Sequence, residues 1–311
     1  MKFVTYDGGK TGLLKGDSVV DVSGICTGSG QVAMEFLISN YDSLVNALEQ
    51  LAMKGTPIPL RDVRLEPPLP EPGKILAMGG NFLENGAKQP APMWGFTKSS
   101  NAVVGPGSTV VLPDVDANIF HHEAELVLVF GRTGSNIKES QAMDYVFGYT
   151  CGIDVSARIF TETPAPPRVP NTLPISPAKS YATFAPLGPC IVTKDEVSNP
   201  QNLQVQLRVD GELRGDYNTN DMGHSIEESI EYVSGIESIR PGDVLFLGTN
   251  HQGLGAMQDG DTIEIKIEQV GSFSLNVSDP LKRRWTKGID KGTAQGVREG
   301  TSGPGRNVRP L

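Results

Sequence analysis

The chain has 311 residues, enough for one large domain with an accessory piece or for two domains. Apolar residues make up only 38%, and 36 glycines with 23 prolines call for many turns, which suits a β-rich protein with long shaped loops better than a helical one. A net charge of −9 without a basic folded face argues against nucleic acid as a partner, and no apolar run reaches the length of a membrane span.

In chain order, short β-like runs at Lys2–Tyr6, Gly12–Leu14 and Ser18–Val22 lead into a helix near Gln31–Met53, expected to break at Ser39-Asn40. The opening residues read as a first strand and turn rather than the apolar core of a signal peptide. Prolines 57, 59, 67, 68, 70 and 72 then punctuate a linker, so residues 1–70 form a small N-terminal α/β domain with no visible chemistry. The body, 71–280, opens on a strand at Lys74–Gly80. Later strands are expected at Leu203–Val209, closed by an Asp210-Gly211 turn, and at Val244–Leu247, Thr262–Ile267 and Ser272–Val277. Ser225-Ile226-Glu227-Glu228 is a capping box that starts a helix. Residues 281–311 form a Gly-rich basic tail, with eight Lys or Arg against two acids, that docks on an acidic surface or stays disordered. Cys26, Cys151 and Cys190 have no metal-site spacing and leave one unpaired, which fits buried structural thiols in a reducing cytoplasm.

The chemistry concentrates in two segments. Glu123 and Glu125 sit two apart in an apolar, β-branched run that ends at Gly131-Arg132, so both carboxylates leave the same face of one strand. Two acids so placed pair with cations on an exposed edge or hold a metal. Asp154 is a third acid in a segment otherwise built for a core strand. Three carboxylates with no cysteine or histidine cluster make an all-oxygen site, which Mg²⁺ or Mn²⁺ prefers over Zn²⁺. The adjacent His121-His122 can add a ligand or support the ligands from behind.

Four motifs follow one another in order: Glu123-x-Glu125; Gly148-Tyr149-Thr150-x-Gly152-x-Asp154-Val155-Ser156-Ala157-Arg158; Ala178-Lys179-Ser180-Tyr181-x-Thr183-Phe184-Ala185-Pro186-Leu187-Gly188-Pro189; and Leu247-Gly248-Thr249. Together they resemble the fumarylacetoacetate hydrolase superfamily over roughly residues 72–280. The resemblance implies a mainly β (α+β) fold, with a mixed β-sandwich or β-roll catalytic domain. It also implies a divalent metal on Glu123, Glu125 and Asp154, a small carboxylate substrate of 2-oxo acid or β-dicarbonyl type, and a homodimer. Lys98 and Lys179 match family lysines that neutralise a developing enolate, and Thr249 matches part of a cradle for the substrate carboxylate. Asn250, Arg158 and Arg168 are further candidates for that carboxylate.

The chain also departs from the resemblance. Where many relatives carry a histidine–glutamate pair that activates water in the loop after the first body strand, this sequence has Asn85 and Lys88, neither of which can serve as that base. The candidates left are Glu84, one position off, and His251 beside Thr249. Three readings therefore stand: a carbon–carbon hydrolase of an acylpyruvate or diketo acid; a decarboxylase, tautomerase or dehydratase on the same metal site; and a non-catalytic relative.

Overall fold

The computed structural model describes residues 1–84, 87–159, 168–290 and 310. Asn85, the first part of the proline-rich stretch (160–167) and most of the basic tail (291–309 and 311) lie outside the described residues. The N-terminal region consists of β1 (Lys2–Tyr6), β2 (Lys10–Lys15), β3 (Ser18–Asp21), α1 (Gln31–Lys54), β4 (Pro57–Pro59) and β5 (Leu65–Glu66). It continues into β6 (Ile75–Met78), β7 (Gly95–Lys98), β8 (Val103–Val104), β9 (Thr109–Val111), β10 (Ile119–Phe130), α2 (Glu139–Ala142), β11 (Val146–Arg158) and β12 (Ala185–Thr193). The hairpin β13 (Gln204–Val209) and β14 (Glu212–Asn218), α3 (Ile226–Ile236), β15 (Val244–Phe246), β16 (Thr262–Ile267) and β17 (Gly271–Ser278) complete the chain order.

Two sheets are formed among the described residues. The larger runs β4-β3-β2-β1-β12-β11-β10-β15-β6-β7, with β5 on β1 and β8 on β12; the smaller runs β14-β13-β16-β17-β9. The N-terminal strands thus extend the catalytic sheet, since β1 pairs directly with β12. Helix α1 is continuous, against the expected break at Ser39-Asn40. Asn40 Nδ2 donates to the Phe36 carbonyl and Ser43 Oγ to the Asn40 carbonyl, so these polar side chains bond back onto the helix instead of ending it. The capping box opens α3 with Ser225 and Glu228 each bonding the other's backbone N–H.

β10 separates two apolar layers. Ala124, Leu126, Leu128 and Phe130 belong to the core shared with the smaller sheet, while Val127 and Val129 face the opposite way into the core under α1. The period of two also puts Glu123 and Glu125 on the side of Val127, so one strand face is carboxylate-bearing in its first half and apolar in its second.

Most of the larger sheet is antiparallel, but β15 lies parallel to β6, with Val244 opposite Ile75 and Phe246 opposite Ala77. Parallel neighbours end at the same edge, which delivers the loops starting at Gly79 and Leu247 side by side. Among the described residues, none of the helices is long and apolar enough to cross a membrane.

Residues 281–290 lie against the body. Trp285 is buried, its ring 5.9 Å from that of Phe120 and its indole N–H donating to the Asn118 carbonyl at 2.7 Å. Arg283 bonds the buried Asp279 carboxylate, Lys282 pairs with Asp259, and Lys287 with Asp210.

Candidate metal and substrate site

The register of β10 against β11 assembles the acids. Glu123 stands opposite Asp154 and Glu125 opposite Gly152, so two adjacent antiparallel strands turn three carboxylates to one side. All three are buried, and one oxygen from each lies within 4.8 Å of the others. The exposed-edge alternative is thereby excluded: this is the floor of a cavity of about 1080 Å³.

Buried like charges need compensation, and the surrounding cations supply part of it. Lys179 Nζ lies 2.5 Å from Glu123 Oε2 and also bonds Asp154; Lys98 bonds Asp154 from below and donates to the Phe184 carbonyl at 2.8 Å; Arg158 reaches Glu123. Burial alone pushes the Asp154 carboxyl up, but the two lysines outweigh it and hold it below the usual carboxylate range. Burial brings Lys98 down to about 8 against the pull of Asp154, and Arg158 down to about 10. Glu125 differs. Burial, then the neighbouring Asp154 charge, push it well above an ordinary glutamate. It accepts a 2.6 Å bond from the Gly248 N–H, which that residue can aim because a φ of 96° suits glycine.

A hard divalent cation fits this donor set: three converging carboxylate oxygens, one of them pushed toward neutrality for want of positive charge. Neither histidine joins the three acids. His121 Nδ1 accepts from Arg158 Nε at 3.1 Å, and its pKa is driven well below normal by burial and then by Arg158, so it orients the arginine as a neutral ring. His122 points to the other face of β10; burial and then Arg214 lower it to about 4.

Glu84 and His251, rivals for one role in the sequence, meet in the structure. His251 Nδ1 is 2.6 Å from Glu84 Oε1, the His251 backbone N–H donates to the same oxygen at 2.8 Å, and Nε2 lies 3.9 Å from Glu123 Oε1. A carboxylate oxygen accepts here, so Nδ1 is the donor, and in the neutral ring Nε2 is the nitrogen that holds the lone pair. The parallel β6–β15 pair makes this meeting possible. Asn81, just past β6, accepts from the His224 N–H and donates from Nδ2 to the Leu247 carbonyl at 3.0 Å, tying its loop to the end of β15.

Thr249, Lys179, Arg158, Arg168, Glu84 and His251 line the cavity with the three acids. Lys98 sits beneath Asp154, outside the lining. Asn250 is turned away: its side chain caps the short turn His251–Gly253 and contacts Asp221 Oδ2 at 3.3 Å. Lys88 is exposed. Two residues were not singled out from the sequence. Half-buried Tyr217, from the smaller sheet, donates its hydroxyl to the carbonyl of Ala124, between Glu123 and Glu125, and lies 3.3 Å from Thr249 Oγ1. Trp94 forms the outer wall, with the Arg168 guanidinium 3.6 Å above its ring. Tyr217 gave no sequence signal beyond its place in a strand. Trp94, an aromatic closing a proline-rich loop beside Lys98, gave a weak one.

The family model for the C-terminal domain of fumarylacetoacetate hydrolase matches residues 74–278. The chain belongs to this family. It is 32% identical over 300 residues to a maleylpyruvate hydrolase of Aquipseudomonas alcaligenes, covering 89% of this chain and 99% of that protein. A mitochondrial oxaloacetate tautomerase of Xenopus laevis is 32% identical over 273 residues, 84% of this chain and 83% of its own. Among solved structures, a maleylpyruvate hydrolase from Sphingobium sp. SYK-6, in complex with manganese (II) ion and pyruvate, superposes with a TM-score of 0.78 at 33% identity, covering 90% of this chain and 99% of that one. These matches fix the mainly β fold of this family for the chain.

Proposed function

We propose that this protein is a divalent-metal-dependent hydrolase that cleaves a carbon–carbon bond of an acylpyruvate. The observation that carries the reading is the His251–Glu84 pair, 2.6 Å apart and beside the three acids. The water-activating pair missing from one loop is replaced by one drawn from two. Glu123, Glu125 and Asp154 would hold Mg²⁺ or Mn²⁺, which when bound supplies Lewis-acid polarisation of the 2-oxo acid.

The chain's own groups perform the rest. Thr249 receives the substrate carboxylate at the inner end of the cavity, with Arg158 as a flanking cation. His251 Nε2 takes a proton from water, and Glu84 steadies the imidazolium formed. The hydroxide adds to the carbonyl distal to the 2-oxo group. Breaking the bond between that carbon and the methylene leaves the electron pair on the methylene. His251 returns a proton there, giving pyruvate and a carboxylic acid; one water is consumed. Lys179 stabilises the negative charge that passes through the enolate oxygen, while Lys98 fixes Asp154 from behind. The likeness to oxaloacetate tautomerases supports a second reading, in which the same base moves a proton between carbon and oxygen without adding water. A homodimer in a reducing compartment such as the cytoplasm is the assembly and location we propose, on the family resemblance and the free cysteines.

An acylpyruvate panel together with oxaloacetate, assayed with Mg²⁺, Mn²⁺ or chelator and read by proton NMR, tests these readings. The hydrolase reading expects metal-dependent pyruvate release, reduced about 10²-fold or more by His251→Ala or Glu84→Gln, with the double variant no worse than either single one. Enol–keto exchange of oxaloacetate without cleavage of any acylpyruvate would hand the site to the tautomerase reading. Full turnover in chelator would remove the metal from both.

A further inference from the structure

The family model ends at residue 278. The segment beyond it, 281–290, closes on two elements that build the site. Trp285 takes the first: its ring packs on Phe120 of β10, and its backbone N–H donates to Gln258 Oε1 at 3.2 Å. The rest of the segment meets the loop after β15, which carries Thr249 and His251. Arg214, buried in β14, donates from Nη1 to the Gly288 carbonyl at 2.7 Å, and the Asp290 N–H donates to the Leu254 carbonyl at 2.9 Å.

That loop has little room to move. A Cβ at Gly253 would stand 2.2 Å from the Arg214 carbonyl oxygen, and one at Gly255 would stand 2.2 Å from the Gly288 carbonyl oxygen. The backbone is thus packed on β14 at one glycine and on the docked segment at the other, at separations that admit no side chain. Between the two glycines, the Leu254 N–H donates to the His251 carbonyl at 3.1 Å, so Leu254 joins the His251 turn to Asp290. On the cavity side Glu84 Oε1 accepts from both the His251 backbone N–H and Nδ1. The turn is gripped from front and back.

Resting on the hydrolase reading above, in which His251 is the base, we propose that residues 288–290, tied down by Arg214, are a strap that positions the His251 turn against the acids. The strap touches neither substrate nor metal. It sets where the imidazole stands, and a misplacement of about 1 Å at a reacting group can cost on the order of 10²-fold in rate. Asp290 acts through its main-chain N–H, which proline lacks and alanine keeps. Two substitutions at one position therefore separate the strap from anything the Asp290 side chain does.

The test uses the full-length, Mn²⁺-loaded protein and whichever acid of the panel above it turns over best. Asp290→Pro should lower kcat about tenfold or more, with KM and Mn²⁺ affinity within about twofold, whereas Asp290→Ala should match the wild type in all three. Arg214→Gln should lower kcat in the same way, and the double variant Arg214→Gln/Asp290→Pro should be no worse than the weaker single one, because both cut one strap. Amide hydrogen exchange gives a readout without substrate: residues 249–257 should exchange faster in Asp290→Pro than in Asp290→Ala, with β10 unchanged. Equal kcat in the proline and alanine variants, or unchanged exchange at 249–257, overturns the proposal, as does a loss of Mn²⁺ affinity that parallels the loss of kcat. Because exchange needs no turnover, the strap can stand when the hydrolase reading fails, and the hydrolase reading can stand when the strap fails.

Discussion

At the inner end of the cavity the acids come from long strands and are tied to cations: Asp154 to Lys98 and Lys179, and Glu123 to Arg158 and Lys179. At the outer end Arg168, a loop residue, is stacked on the Trp94 ring. On the proposed function, the sheet carries the part that any 2-oxo acid would need, and the loops carry the walls that would tell one acid from another. Loops vary without disturbing a ladder, so substrate choice can change while the metal floor stays fixed.

The largest effect should fall on the floor. Asp154→Ala removes a ligand and leaves Lys98 and Lys179 without their shared partner, so turnover should drop below detection and excess Mn²⁺ should not restore it. Activity returning at high Mn²⁺ would mean that Glu123 and Glu125 suffice. Next comes the foundation of the same strand. Trp285→Ala opens space against Phe120 on the back of β10 and should cost about 3–5 kcal/mol in urea unfolding. A loss under about 1 kcal/mol would make the docked segment 281–290 peripheral.

Tyr217→Phe probes the join between the sheets at smaller scale. Losing the hydroxyl that bonds Ala124 and contacts Thr249 should lower kcat about tenfold, with Mn²⁺ affinity nearly unchanged. An equal fall in Mn²⁺ affinity would show that Tyr217 serves the acids rather than Thr249. The mildest change belongs to the outer wall: a Cβ in Gly79→Ala would stand 2.1 Å from the Trp94 indole, so the variant should displace that ring and raise KM several-fold, leaving the acids alone. Loss of Mn²⁺ binding in that variant would show that the two ends are not independent.

The same division governs what could be read from the amino-acid order. Strand periodicity put Glu123 and Glu125 on one face without knowledge of any neighbour, and a polar Asp in a core-like run marked Asp154. The meeting of Glu84 with His251 depends on β15 lying beside β6, a tertiary choice that no local pattern records. Asn250 read as a candidate for the substrate carboxylate, yet an Asn at the start of a tight turn is a natural cap, and its side chain is used there. The break expected at Ser39-Asn40 failed for a related reason, since polar side chains that can end a helix can also bond back to it.

The parallel pairing of β6 and β15 has a kinetic consequence. Glu84 and His251 are 167 positions apart, and they meet only once β15 has paired with β6. Contacts of such separation close slowly, because the entropy of the loop is lost before any bond is gained. Hairpins such as β13–β14 can form early from neighbouring residues, but the pair beside the acids waits for nearly the whole chain. Recovery of activity on refolding should therefore trail recovery of β-sheet signal, which makes the pair a clock for the last step of assembly.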